Sequence, residues 1–135
     1  MKRAFVLALL ALAACQSSNP QPRTANPPSR PGDNSALSTM ERVAVAAQEC
    51  WFKGKDPAFK GMTLSPELTS YAGKPRILAV KGKSVAGLPA LVVEAQGNPA
   101  RLSAYGPMMQ GPDAARIAAD VKRWAARDAS CMATG

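Results

Sequence analysis

Three cysteines, Cys15, Cys50 and Cys131, are the residues of this chain best suited to covalent chemistry, and there is no histidine to serve them. A serine or cysteine nucleophile needs a base to take its proton, so Ser–His and Cys–His machinery is excluded. Two thiols without histidine also fall short of the four ligands of a structural zinc site. Paired carboxylates can hydrolyse glycans, but most of the acids have local tasks. Glu41 reads as a helix cap, Asp113 suits a helix N-terminus, and Asp120 lies within helical reach of Arg116 and Arg123. Only Glu67 and Glu94 lack such a task, and solvation at the surface is expected of both. Gly82, Gly87 and Gly97 are isolated turn glycines, unlike a phosphate-binding loop. The expectation is a protein that is not an enzyme and carries no metal and no cofactor.

Binding is the better class, and two features qualify. Lys53, Lys55, Lys60, Lys74, Arg76, Lys81 and Lys83 face only Asp56 and Glu67 in the same stretch, a local balance of +5. Of these, Lys74, Arg76, Lys81 and Lys83 are the candidates for contact with an anionic partner. Their convergence depends on the fold, and a scattered, solvating set is the competing reading. The second feature is Tyr105-Gly106-Pro107-Met108-Met109. Tyr105, Met108 and Met109 could form an adaptable contact surface, or the methionines could plug the core.

The first fifteen residues carry an address. Lys2 and Arg3 precede an uncharged apolar run from Ala4 to Leu12, too short to span a bilayer but suited to the core of a secretion signal. Leu12-Ala13-Ala14-Cys15 closes it and resembles the lipobox of bacterial lipoproteins, with leucine three residues before the cysteine and small residues between. The resemblance covers this leader alone; it implies removal of residues 1–14 and attachment of diacylglycerol to Cys15. Two or three acyl chains make a lasting anchor, since each buried methylene contributes about 0.8 kcal/mol. Gln16, where an aspartate would mark inner-membrane retention, points to the outer membrane. Lys2 and Arg3 account for two of the chain's formal +8, leaving +6. That balance favours anionic envelope polymers, lipid headgroups or acidic proteins. No nucleic-acid recognition motif is present.

From Gln16 to Ala36 the chain is rich in Pro, Ser, Asn and Gln and poor in large apolar residues, the composition of an extended tether. Residues 15–36, with the lipidated cysteine at their head, would lift the domain by up to about 60 Å. Export also bears on Cys50 and Cys131, since the two cysteines remaining in an exported protein are usually joined. The bridge would staple an alanine-rich core that is otherwise thin.

The elements holding these residues follow from pattern. A capping box at Ser38–Glu41 opens a helix whose buried stripe is Met40, Val43, Ala44, Ala47 and Trp51, with Cys50 beside it. Arg76–Lys81, Leu91–Ala95 and Arg101–Tyr105 read as strands, and Met62–Tyr71 as a further one that Pro66 confines to an edge or bulge. Gly111-Pro112-Asp113 opens a last helix with Pro112 at its first position and Ala114, Ile117, Ala118, Val121, Trp124 and Ala125 facing in. The expected fold is α+β over residues 37–135. It has an N-terminal helix, a three- to four-stranded antiparallel sheet and a C-terminal helix. Both helices cover one face, and a disulfide staples the whole. Its expected role is an accessory or adaptor part of an envelope assembly. The alternative is a periplasmic module that inhibits a lysozyme-type hydrolase or captures an anionic envelope molecule.

Overall fold

Helical spacing of apolar residues winds Ala36–Ala47 into helix α1, which buries Met40, Val43, Ala44 and Ala47 in the core as expected. The computed structural model describes residues 33–69, 74–84 and 86–131. The expected leader, Cys15 and the expected tether up to residue 32 lie outside the described residues, as does Tyr71. The helix begins three residues before the expected capping box. Ser35 is its cap, accepting from the Ser38 N–H at 3.3 Å, while the Ser38 hydroxyl donates to the Asp33 carbonyl. Asp33 decides this. Its carboxylate accepts from the Ser35 N–H at 2.7 Å and the Ser35 hydroxyl at 3.0 Å, fixing the turn ahead of the helix. Asp33 and Asn34 therefore already belong to the folded unit. Ala100 N–H donates to the Asn34 carbonyl, Ala36 N–H to that of Gly97, and Arg42 and Arg127 both donate to that of Asp33.

Beyond Ala47 the helix widens into a π-helical turn, Gln48–Lys53, which carries Cys50 and the buried Trp51. Four strands follow: β1 (Met62–Glu67), β2 (Arg76–Lys81), β3 (Pro89–Gln96) and β4 (Arg101–Tyr105), antiparallel and in that spatial order. Pro66 sits on the edge strand β1, where its missing N–H costs no central ladder bond. Register places Met62, Leu64, Ile77, Ala79, Leu91, Val93, Ala95, Leu102 and Ala104 on one face. Both helices pack on that face, with α2 (Ala114–Ala125) supplying Ile117, Val121 and Trp124. Strand β3 is longer than the alternation suggested and also buries Ala90 and Val92, because it is central and its run Ala90–Val93 is apolar on both sides.

Helix α2 departs from expectation in two ways. Pro112 and Asp113 lie in the turn before it, with Asp113 as a cap residue that makes no side-chain cap bond. Ala118 is exposed, while Asp120 faces inward with 2% exposure. The reason is that the Asp120 carboxylate has three donors: Trp51 Nε1 at 2.9 Å, Arg123 at 2.7 Å and Arg116 at 3.4 Å. A buried carboxylate held this way is tolerated where a lone one is not.

The Cys50–Cys131 disulfide is formed, with Cα atoms 5.3 Å apart. Cys131 lies beyond the end of α2 rather than on its face. The chain reverses at Arg127, in the left-handed region, and Trp124 Nε1 and Arg123 Nε both donate to the Ser130 carbonyl, steering the tail back to the π-helical turn. The bridge is at the margin of the core, with Cys50 half-buried and Cys131 exposed.

Candidate functional site

The sequence-derived candidates fall into three separate places. On the sheet face away from the helices, Glu67, Arg76 and Glu94 are register neighbours across β1, β2 and β3. Arg76 pairs with Glu67 at 2.6 Å, Lys74 with Glu94 at 3.8 Å, and the Tyr105 hydroxyl donates to Glu94 at 3.1 Å. The hydrogen bond and charge of Glu67 raise the Arg76 guanidinium above its ordinary value. Lost hydration first, and then the Glu94 hydrogen bond, raise the Tyr105 phenol. Glu67 and Glu94, expected to be merely solvated, instead neutralise Lys74 and Arg76 across strands.

Met108 and Met109 occupy a second place. Gly106, at φ 113°, passes so close to β3 that a Cβ there would stand 2.7 Å from the Ala90 carbonyl oxygen. The 3₁₀ turn that follows, Pro107–Gln110, tucks both methionines against the core, which is their plugging role.

Lys81 and Lys83 belong to the third place, and it is the one with the makings of a site. Beside them a groove of about 530 Å³ opens between the end of the π-helical turn and the start of β1. Trp51 and Phe59 form its floor, stacked at 4.4 Å with 11° between their planes. Phe52, Pro57 and Met62 form its walls, and Lys55 and Lys60 stand exposed at its rim. Lys81 is the register partner of Met62 and shares its face, and Gly82 N–H donates to the Gly61 carbonyl, so Lys83 follows directly on a residue bonded to the groove's lining. Among the described residues no carboxylate pairs with Lys55, Lys60, Lys81 or Lys83.

Among the described residues, the one acid lining the groove is already engaged. Asp56 caps the short turn Pro57–Phe59 through the Ala58 N–H and takes both arms of Arg116, at 2.7 and 3.1 Å. Burial opposes the Arg116 charge, but Asp56 and Asp113 outweigh it and raise the guanidinium above its ordinary value. Lysine 53 is likewise tied, to Glu49 at 2.6 Å.

Backbone geometry sets the position of Lys55. A Cβ on Gly54 would meet the Cys50 carbonyl oxygen at 2.3 Å, so glycine is used there for close approach. The left-handed residue that ends the helix is then Lys55, at φ 55°, with its N–H on Phe52 O and the Asp56 N–H on Trp51 O. Glycine is the residue that fits this conformation, and a side chain there costs about 1–2 kcal/mol. Lys55→Gly is therefore expected to raise stability by about 0.5–1 kcal/mol, after the greater freedom of unfolded glycine is counted. A thermal melt would show it as an upward shift of a few degrees.

Phe52, Phe59, Lys55 and Lys60 were not singled out together by sequence reading. Their signal is the run CWFKGKDPAFK, in which aromatics and lysines alternate around a Gly and a Pro. Among the described residues no group of three or more Cys, Asp or Glu side chains could hold a metal ion, and no helix is long and apolar enough to cross a membrane. Comparison of the chain with known protein families, curated proteins and solved structures gives no match.

Proposed function

We propose that this is a lipid-anchored protein of the bacterial cell envelope, tethered through Cys15 to the outer membrane, whose domain acts by binding rather than catalysis. The observation that carries the binding role is the groove. Its lysines have no carboxylate partners among the described residues, its acid Asp56 is taken up by Arg116, and its walls are apolar, an arrangement suited to attracting and holding an anionic ligand. The Cys50–Cys131 bridge supports an oxidising compartment. As an adaptor within an envelope assembly, the domain would present this site at the end of its tether. The alternative role, a module that captures an anionic envelope molecule, is favoured by the size of the groove. About 530 Å³ lies within the range of small-ligand sites, roughly 300–1,000 Å³.

The anchor is tested by Cys15→Ser in intact cells. The variant is expected to leave the membrane fraction or to accumulate with its leader attached, while its domain keeps the Cys50–Cys131 bridge. Unchanged fractionation and processing would defeat the anchoring role. Crosslinking in the same cells followed by mass spectrometry tests the adaptor role, which requires a defined envelope protein to be captured by wild type and lost on substitution of Lys55 and Lys60.

A further inference from the structure

We infer that the groove between the π-helical turn and β1 is a binding site for a single-chain anionic amphiphile, an acyl chain ending in a carboxylate. This rests on the second role proposed above, capture of an anionic envelope molecule, and names its ligand class. Two parts of the groove make complementary demands. Phe52, Pro57 and Met62 over the Trp51–Phe59 stack offer an apolar bed, and an acyl chain is the partner that gains most from leaving water for it. Lys55 and Lys60 at the rim, with Lys81 facing the same side at Met62, supply positive charge at the mouth. The Asp56 carboxylate, which would otherwise repel an anion, is occupied by Arg116.

A second argument comes from the backbone. Lys55 occupies a left-handed position better suited to glycine, so stability alone does not explain its side chain. A charge needed at the groove mouth does. Size favours a small amphiphile over a protein segment, because a groove of about 530 Å³ matches small-ligand sites of roughly 300–1,000 Å³, whereas a stable protein contact spreads over about 800 Å² on each partner.

The test uses the full chain in phosphatidylcholine vesicles, photolabelled with a diazirine-bearing dodecanoate and mapped by peptide mass spectrometry. Label is expected on the peptide spanning Trp51–Met62. Dodecanoate should displace it, and decanoate should do so about tenfold or more weakly, at about fourfold per methylene. Dodecanol, which lacks the charge, should be at least about tenfold weaker than dodecanoate, from the loss of charge-assisted contacts. Lys55→Gly combined with Lys60→Gln should reduce labelling by a similar factor, whereas Lys122→Gln on α2 should not. A melt of the double variant, showing stability at or above wild type, confirms that the loss is local. Label spread evenly over the domain, equal displacement by the alcohol, or full labelling of the double variant would overturn the assignment. So would displacement by an acidic peptide such as oligoglutamate at lower concentration than dodecanoate, which would place a protein partner there. Groove labelling with failed Cys15 fractionation would sink the anchor alone. Correct fractionation without groove labelling would sink the ligand alone.

Discussion

Cys131→Ser is expected to lower the unfolding free energy by about 4–5 kcal/mol. The bridge spans a sequence separation of 81 residues, and loop-closure entropy of that order follows from a ring of this length. A domain of this size has only about 5–15 kcal/mol in total, so the loss removes much of its margin. The alternative, that native contacts alone hold the tail, has little support in the burial: residues 126–131 are all exposed, and among the described residues beyond Asp128 the tie to α2 is the Ser130 carbonyl. Urea denaturation of wild type with and without reductant, beside Cys131→Ser, measures the effect. Reduced wild type should match the variant. A difference below about 1 kcal/mol between oxidised and reduced protein would show that the bridge is incidental.

Asp120→Ala has the second largest expected effect, a loss of about 2–4 kcal/mol. The substitution leaves the Trp51 indole N–H without its acceptor inside the core, where Trp51 is 2% exposed and lies 4.8 Å from Trp124. An unsatisfied buried donor costs about 1–3 kcal/mol. Arg116 and Arg123 lose less, because their side chains are 30% and 18% exposed and water can take over. Asp120→Asn separates the two contributions: it keeps an oxygen for the indole but removes the charge, and should recover about half of the loss. Denaturation curves give the free energies, and near-ultraviolet circular dichroism of the two tryptophans reports the packing. If the alanine variant is as stable as wild type, the carboxylate is a tolerated passenger and not a strut.

Much of the architecture was legible because its signals are local. Arg76–Lys81 is a short apolar run closed by charges, Arg101–Tyr105 alternates cleanly, both end where the strands end, and the Met40-to-Trp51 stripe repeats at helical spacing. The sequence pattern misled where a group outside it decided the outcome. Ser38 lost the cap because Asp33 fixes Ser35, and Asp120 turned inward because Trp51, 69 residues away in sequence, brings it a donor. Glu67 and Glu94 found their partners only across strands. The groove was hidden for a further reason. Its walls come from a π-helical turn and a 3₁₀ turn, neither of which leaves a periodic trace over so few residues. Among the candidate cations Lys81 pairs in register with a lining residue, Met62, and that neighbourhood depends on the β1–β2 register.

Under tension, the Cys50–Cys131 bridge divides the domain into a short peelable lead and a closed covalent ring. A pull arriving at Asp33 first loads the Arg42 and Arg127 contacts to its carbonyl and the hydrogen bonds linking Asn34 to Ala100 and Ala36 to Gly97. If these give way, α1 can unwind no further than Cys50, where the load passes into the ring. The lead pays out about 60 Å at roughly 3.4 Å per extended residue and then stops. The groove begins at Trp51, one residue inside the ring, so the point where such a load enters the ring is also the edge of the groove. Peeling α1 also withdraws Met40, Val43, Ala44 and Ala47 from the core that holds Trp51 and Phe59, so the ring limits how far the chain extends and the groove loosens with the helix.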